Sequence, residues 1–250
     1  MFKKIKHYLS GILLIIIGFT MIYISDTRPQ NFYRKMQQNY KIEDTEEVLS
    51  DNTISDNTIS DSTVSNNNIH LEYSIDYNLL KNNYPNMTGY IYINDTEINY
   101  PIMQASDNEY YLYRLPDGSK STHGSIFMDA ANNLDDQYIM IYGHNMKDGT
   151  MFADLKKYLN KEFYKTHTKA YIYIDENKKE LKVKGVLYTD TTNSLYDIAY
   201  TNLHPEIFEN NFANCKYKEE LSQDPVYILS TCYKHTGRIM LFLQWKKRKI

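Results

Sequence analysis

The sequence predicts a mostly β fold, in which eight short strands form a largely antiparallel barrel decorated by a few helices. Beyond residue 70, the 250-residue chain contains eight short apolar runs rich in β-branched and aromatic residues. Helical periodicity interrupts this series only twice, whereas an alternating βαβ fold would need a helix between most strands. Many short strands with few helices are typical of a barrel.

The predicted elements follow one another in chain order. A short helix at residues 76–84 comes first and is stopped by Pro85. The eight predicted strands are residues 90–93, 98–102, 125–128, 138–142, 170–174, 181–188, 226–229 and 239–245. Two helices are predicted from apolar residues at helical spacing. These residues are Met151, Phe152, Leu155, Tyr158 and Leu159 in the first, and Phe208, Phe212 and Cys215 in the second.

The N-terminus predicts a membrane anchor. Lys3, Lys4 and Lys6 precede an uncharged apolar stretch at residues 8–24, whose 17 residues are at the short end of what spans a bilayer. The lysines predict that this end lies in the cytoplasm. A cleaved signal peptide is the alternative, but residues 25–29 lack the small-x-small cleavage pattern. Residues 1–25 are therefore predicted to be an uncleaved single-pass anchor in the cell membrane, with the rest of the chain extracellular.

A polar segment at residues 26–69 separates this anchor from the globular part. It contains a five-residue repeat of the type Ser-Asp-Asn-Thr-Ile, which starts at Ser50 and matches the period of neither helix nor strand. A solenoid is the alternative, but three short units are few for a stacked core. Residues 26–69 are predicted to be a flexible stalk, with helix near residues 32–40, and residues 70–250 the functional domain.

Composition excludes two classes of protein. The net charge of −3 provides no excess of positive charge for a nucleic-acid partner. Two cysteines cannot form a disulfide framework. Cys215 falls on the apolar stripe of the second predicted helix, which indicates a buried hydrophobic residue. Cys232 ends a strand-like run and is followed by polar residues, as expected of a partly exposed nucleophile near positive charge.

Two distant residues complete a candidate site with Cys232. His144 comes just after a predicted strand, where its ring can face a cleft and serve a cysteine nucleophile as acid or base. Arg238, on the strand after Cys232, can donate hydrogen bonds to an oxyanion, although a surface salt bridge is the alternative. A metal site built from Cys232, His235, His144 and His123 is conceivable, but no metal-ligand spacing supports it.

With these three residues, the chain resembles the class B group of the sortase family over about residues 75–245. The resemblance depends on the order of several short segments, each of which is weak by itself. They are residues 89–93 with 98–104, 107–112, 124–129, 142–146 with 151–152, and 229–232 with Arg238. The helix around Phe208 falls where class B members carry an added helix before the cysteine strand.

The resemblance implies a membrane-anchored cysteine transpeptidase of a Gram-positive bacterium that needs no cofactor. Its partners would be secreted proteins with a C-terminal sorting signal and an amine of the peptidoglycan precursor. Cys232 would attack the carbonyl group after the signal's threonine and form a thioacyl intermediate. His144 would protonate the departing amine, and Arg238 would stabilise the oxyanion or the bound peptide. The positions that match a groove for the sorting signal are Asn108, Leu112 and Ser230.

Two features leave alternatives open. Unperturbed pKa values of about 8.5 for cysteine and 6.5 for histidine make a neutral thiol beside a neutral imidazole the main state at neutral pH. Some class B members carry an acidic residue shortly after the cysteine, whereas residues 233–237 contain none. The alternatives to a wall-anchoring transpeptidase are a pilin-polymerising sortase, a hydrolytic cysteine protease and a non-catalytic wall-binding module.

Overall fold

The strands close on themselves as a barrel. The computed structural model describes residues 27–42, 74–174 and 176–245. In this part of the chain the elements are α1 (27–40), β1 (Lys41–Ile42), β2 (Ser74–Ile75), α2 (Tyr77–Asn83), β3 (Met87–Ile93), β4 (Asn99–Met103), β5 (Ile126–Met128), β6 (Tyr138–Tyr142), α3 (Lys161–Thr166), β7 (Lys169–Ile174), β8 (Asn177–Asp190), α4 (Ile198–Leu203), α5 (Pro205–Ala213), β9 (Tyr217–Lys218), β10 (Val226–Tyr233) and β11 (Gly237–Trp245). Three 3₁₀ helices, Tyr110–Tyr113, Ala153–Leu159 and Ser194–Tyr196, lie between them.

Within the described residues, eight strands pair in the order β11–β10–β6–β5–β4–β3–β7–β8, and β8 pairs with β11 to close the ring. The β10–β6 and β4–β5 pairs are parallel, and the other pairs of the ring are antiparallel. This closure leaves no long unpaired edge strand. The predicted eight-stranded, mostly antiparallel barrel is confirmed.

Strand β6 is buried on both faces. In β6, Ile139 and Ile141 point into the barrel core, whereas Tyr138 and Met140 belong to a second apolar cluster. This second cluster also contains Phe208 of α5. Because side chains alternate along a strand, a strand covered on both sides becomes a continuous apolar run. Helix α5 is thus the predicted helix before the cysteine strand, and it covers the outer face of the barrel.

Several predicted bounds are wrong for physical reasons. Strand β8 begins at Asn177 rather than Leu181, because its polar first residues pair with β7 and carry no apolar pattern. The predicted helix around Leu155 is a 3₁₀ helix. Helix α5 ends at Ala213, so Cys215 lies beyond it, half-buried. The short helices α3 and α4 were not predicted, since six residues are too few for a clear helical period.

The described N-terminal residues form a helix that packs on the barrel. Residues 27–40 form a helix whose Tyr33 and Met36 are buried in the main core cluster. This helix falls within the segment predicted to be a stalk. The remainder of the predicted stalk and the apolar stretch at residues 8–24 lie outside the described residues. Within the described residues, no helix is long and apolar enough to cross a membrane.

Candidate active site

One cleft of about 520 Å³ at the ends of β6, β10 and β11 brings the predicted site residues together. All six residues singled out from the sequence line it, namely Asn108, Leu112, His144, Ser230, Cys232 and Arg238. Other lining residues include Tyr113, Phe127, Tyr142, Thr191, Tyr196 and Thr231. A concave site with a few convergent polar groups is the usual form of a binding cleft.

Cys232 stands near the end of β10 with an exposed, free thiol. The residue before it, Thr231, is buried and donates a hydrogen bond from Oγ1 to the Gly143 carbonyl oxygen at 2.7 Å. The Asn145 side chain donates to the carbonyl oxygen of Cys232 at 2.9 Å. These contacts join β10 to the chain that follows β6. The backbone of Cys232 is therefore fixed while its sulfur faces the cleft.

His144 lies two residues beyond the end of β6. Its Nε2 is 2.8 Å from the carbonyl oxygen of Leu112. A carbonyl oxygen can only accept, so Nε2 carries a hydrogen and donates it. The ring of Tyr113 lies beside the imidazole, with 5.9 Å between the ring centroids. Since Nε2 is occupied by Leu112, Nδ1 is the nitrogen left to exchange a proton with a molecule in the cleft.

Arg238 lies on β11, directly opposite Cys232 in the antiparallel register. Its Nη1 donates to the Gly237 carbonyl oxygen at 2.9 Å, which orients the guanidinium. None of the carboxylates that the structure describes forms an ion pair with it. The alternative of a surface salt bridge therefore has no partner in these regions. The guanidinium also has a side-chain hydrogen bond with Tyr196, and its five N–H groups leave donors for an anionic group.

The tyrosine hydroxyl of Tyr196 lies on the same side of the cleft. It is 2.8 Å from the Oγ of Ser230, which is itself buried. Burial raises the pKa of Tyr196, while the hydrogen bond with Ser230 and the nearby Arg238 charge lower it, and the net shift is upward. The hydroxyl therefore stays protonated and can donate as well as accept.

A buried carboxylate supports the opposite wall of the cleft. Asp129 is 3% exposed and accepts hydrogen bonds at one oxygen, Oδ2, from Tyr142 Oη at 2.6 Å and Asn108 Nδ2 at 2.9 Å. Its other oxygen accepts from the backbone N–H of Ala131 at 2.8 Å. Burial and the neighbouring Asp129 charge raise the pKa of Tyr142 well above its usual value. Asp129 thus fixes two cleft side chains without lining the cleft itself.

The connection between Cys232 and Arg238 is a tight turn of three residues, 234–236, between paired Tyr233 and Gly237. Lys234 adopts a positive φ of 56°. Of the cationic residues considered near Cys232, Arg238 alone is part of the cleft lining, while Lys234 and His235 lie in the exposed turn. Arg238, on the paired strand β11, therefore supplies the positive charge expected beside the Cys232 thiol.

Of the three histidines considered for a metal site, His144 alone lines the cleft with Cys232. His123 is buried, and its Nε2 is 2.8 Å from Asp148 Oδ2. His235 is in the exposed turn. Among the residues that the structure describes, no cluster of three or more His, Cys, Asp and Glu side chains could hold a metal ion.

Several further cleft residues, among them Tyr142, Thr231 and Tyr196, were not predicted from the sequence. Tyr142 lies two residues before His144, and side chains two apart on a strand share a face, so alternation could have indicated it. Thr231 could have been found as the neighbour of Cys232. Tyr196 follows a polar loop without periodicity, and only the tertiary fold brings it to Ser230.

Comparison with known proteins agrees with this geometry. The family model of the sortase domain matches residues 91–246. Sortase B of Listeria monocytogenes is 37% identical over 155 residues, which cover 58% of this chain and 62% of the relative. The chain thus spans less than two thirds of that relative's length.

Two solved structures show the same fold. The structure of Clostridium perfringens sortase B is 27% identical, with a TM-score of 0.61, and the match covers 68% of this chain and 99% of that one. The Staphylococcus aureus sortase B–substrate complex is 26% identical, with a TM-score of 0.61, over 69% of this chain and 85% of that one. Since the family model matches more than half of the chain, and the barrel is that of sortase B structures, the chain belongs to the sortase family of cysteine transpeptidases.

Proposed function

We propose that the protein is a class B sortase that cleaves a C-terminal sorting signal of secreted proteins after threonine. It then transfers the cleaved protein to an amine of the peptidoglycan precursor at the extracellular face of the membrane, where residues 1–25 anchor it. The observation that carries the proposal is the direct cross-strand pairing of Cys232 with Arg238, in a cleft that His144 also lines.

In the first step, the thiol of Cys232 gives its proton to Nδ1 of His144, and Sγ attacks the carbonyl carbon after the threonine and forms a tetrahedral oxyanion. The guanidinium of Arg238 donates hydrogen bonds to that oxyanion, a contribution worth about 3–4 kcal/mol per donor in comparable sites. The C–N bond then breaks, and the departing amine takes a proton from Nδ1 of His144. A thioacyl bond to Cys232 remains.

In the second step, the acceptor amine attacks the thioacyl carbon and displaces the cysteine sulfur. The amine loses its proton to Nδ1 of His144, which passes it to the displaced sulfur, so that the thiol of Cys232 is restored and no net proton is consumed over the cycle. We assign the binding of the sorting signal to Asn108, Leu112 and Ser230 on the walls of the cleft. The solved complex of S. aureus sortase B with a substrate supports a substrate-binding role for this fold.

The test compares the two cysteines of the chain in a fluorogenic library of sorting-signal peptides. The Cys232→Ala variant is expected to lose cleavage by at least about 1,000-fold, because it removes the nucleophile. Cys215→Ala is the matched control, since Cys215 lies away from the cleft and burial raises the pKa of its thiol to about 12. Undiminished cleavage by Cys232→Ala would contradict the proposal.

Product analysis separates transfer from hydrolysis and from pilin polymerisation. Mass spectrometry of the wild type with its best peptide is expected to show a thioacyl adduct on Cys232. Added amines that mimic a peptidoglycan cross-bridge should convert this adduct into an amide. Release of the free acid alone, with amine present, would instead indicate a hydrolytic cysteine protease, and preference for the lysine of a pilin subunit would indicate a polymerase. Absence of any adduct would favour a non-catalytic module.

A further inference from the structure

Helix α1 contacts both parts of the chain that hold the His144 imidazole. The first part is the His144 loop, residues 144–152, and the second is the segment around Leu112, whose carbonyl oxygen accepts the hydrogen bond from His144. Neither contact belongs to the cleft lining.

The His144 loop is closed on itself and attached to α1 at its tip. Its ends meet where the Phe152 N–H donates to the His144 carbonyl oxygen at 2.8 Å. At the tip, Asp148 Oδ2 accepts from Gln30 Nε2 of α1 at 2.7 Å. The same oxygen is 2.8 Å from Nε2 of the buried His123. Gln30 therefore connects α1 to the loop through the Asp148 carboxylate, which accepts charge-assisted hydrogen bonds from both Gln30 and His123.

A second contact between α1 and the His144 loop passes through aromatic rings. Tyr33 of α1 is buried edge-on against Tyr100, with 4.9 Å between the ring centroids. The hydroxyl oxygen of Tyr100 accepts from the Met151 N–H at 3.0 Å. Met151 has a positive φ of 58° and is fully buried, so its conformation depends on such contacts.

On the other side of His144, Tyr33 holds the acceptor. Its hydroxyl group donates to the Gly124 carbonyl oxygen at 2.8 Å. Gly124 is packed directly against the Leu112 carbonyl group, and a Cβ at this position would be 2.4 Å from the Leu112 oxygen. The next residue, Ser125, donates its N–H to the Tyr111 carbonyl oxygen at 2.9 Å. The position of the Leu112 oxygen is thus tied to α1 as well.

From these contacts we infer that Gln30 and Tyr33 of α1 are positioning residues for His144. They act by fixing both the loop that carries the imidazole and the carbonyl group that selects its Nε2–H tautomer. This role rests on the proposed function, in which His144 transfers protons through Nδ1. A proton donor displaced by a fraction of an ångström to one ångström loses rate steeply, because the reacting atoms are no longer aligned.

The experiment uses the full-length chain in detergent and compares a double variant, Gln30→Ala with Tyr33→Phe, with Gln37→Ala. Gln37 is a matched control, because it is also on α1 and donates from Nε2 to a backbone oxygen, that of Asn99, at 2.7 Å, without contact to the His144 loop. The single variant Tyr33→Phe keeps the ring packed on Tyr100 and guards against loss of the fold. Thermal unfolding of every variant is recorded alongside.

Two readouts test the positioning role. In ¹⁵N-histidine-labelled protein, the Nε2–H proton of His144, assigned with His144→Ala, is expected to be visible in the wild type and in Gln37→Ala. It should broaden or disappear in the double variant through faster exchange with water. In peptide cleavage, the double variant is expected to lose about 10-fold in kcat with KM within about twofold. Tyr33→Phe should move both readouts in the same direction by less.

The inference is overturned if the double variant keeps the His144 proton signal and a kcat within about twofold of Gln37→Ala. It is also overturned if only KM rises, since a positioning residue for proton transfer acts on kcat. The proposed function can fail separately. If the wild type cleaves no peptide, that function is contradicted, whereas the proton signal of His144 still decides whether α1 positions the imidazole.

Discussion

Gly124 lies directly behind the carbonyl group that accepts the hydrogen bond from His144. Its φ is +58°, and a Cβ would stand 2.4 Å from the Leu112 oxygen and 2.7 Å from the Tyr111 oxygen. Both facts require glycine, since a side chain is disfavoured at this φ and backbone atoms cannot move aside cheaply. At the residue scale, the tautomer of His144 therefore depends on a position outside the cleft lining.

Substitution of Gly124 is expected to affect both stability and activity. Gly124→Ala should lower the free energy of unfolding by about 2–4 kcal/mol, from backbone strain and steric overlap. It should also lower kcat, because the Leu112 oxygen is displaced. The control is Gly149→Ala, in the His144 loop, where φ is +89° but no atom lies within 4 Å of the added Cβ. This control is expected to cost about 1 kcal/mol and to leave kcat nearly unchanged.

Urea unfolding and peptide cleavage measure the two effects. Equal losses of kcat in Gly124→Ala and Gly149→Ala would show that backbone strain alone, rather than the contact with Leu112, disturbs the site.

At the scale of elements, the attachment of α1 to the His144 loop carries a pH dependence. Partial burial raises the pKa of Asp148, but hydrogen bonds from His123, Thr150 and Gln30 outweigh it and hold the pKa well below its usual value. A carboxyl group with a lowered pKa in the folded state contributes stability above its ordinary pKa of about 4. That contribution is lost as the pH falls below 4 toward the lowered value.

Asp148→Asn is therefore expected to destabilise the protein by about 1–3 kcal/mol at pH 7, as for hydrogen bonds to a charged group. The difference from wild type should shrink as the pH is lowered from 5 to 2. Asp190→Asn is a matched control. Asp190 accepts hydrogen bonds from the N–H and hydroxyl groups of Thr192, as Asp148 does from Thr150, but it accepts none from a distant helix. Urea unfolding over this pH range is the measurement. The same pH dependence in both variants would mean that only the local turn matters.

The elements differ in how far they could be predicted from the sequence. The barrel strands were found because a strand that is apolar on one or both faces has a clear pattern of its own. The pairing of Cys232 with Arg238 was also accessible, since an antiparallel return strand brings them opposite each other across a short turn. Strand β8 was predicted too short, because the residues from Asn177 onward are polar and depend on β7 for their conformation.

The candidate site was predictable to a similar extent. His144 was found from its place after a strand, but its hydrogen bond to Leu112 was not, because the two residues are 32 positions apart and the contact involves a backbone oxygen. The packing of α1 was missed for a related reason. Residues such as Tyr33 and Met36 have helical spacing, yet the surrounding polar composition indicates a solvated segment until the barrel is present to receive them.

At the scale of the whole molecule, the docked α1 changes the path from the predicted anchor to the catalytic cleft. The apolar stretch predicted to span the membrane ends at residue 24, and the described part of α1 starts at residue 27, so few residues would separate a membrane from the helix packed on the barrel. Strands β1 and β2 then pair with each other, with Ile42 opposite Ser74. Residues 42 and 74, which flank the segment with the five-residue repeat, are therefore adjacent. We therefore propose that residues 43–73 are not needed as a spacer while α1 stays docked.

Replacement of residues 43–73 by Asn-Gly tests this arrangement, because a two-residue turn of this kind joins directly paired antiparallel strands. We expect the shortened protein to keep its cleavage rate and to gain about 1–2 kcal/mol in unfolding free energy, since a long polar loop costs more entropy to close than a short one. A scrambled segment of the original length is the control and should behave as wild type. A loss of kcat like that of the Gln30→Ala and Tyr33→Phe double variant would show that α1 had been displaced. In that case the segment would be needed as a spacer, because docking of α1 would require its full length.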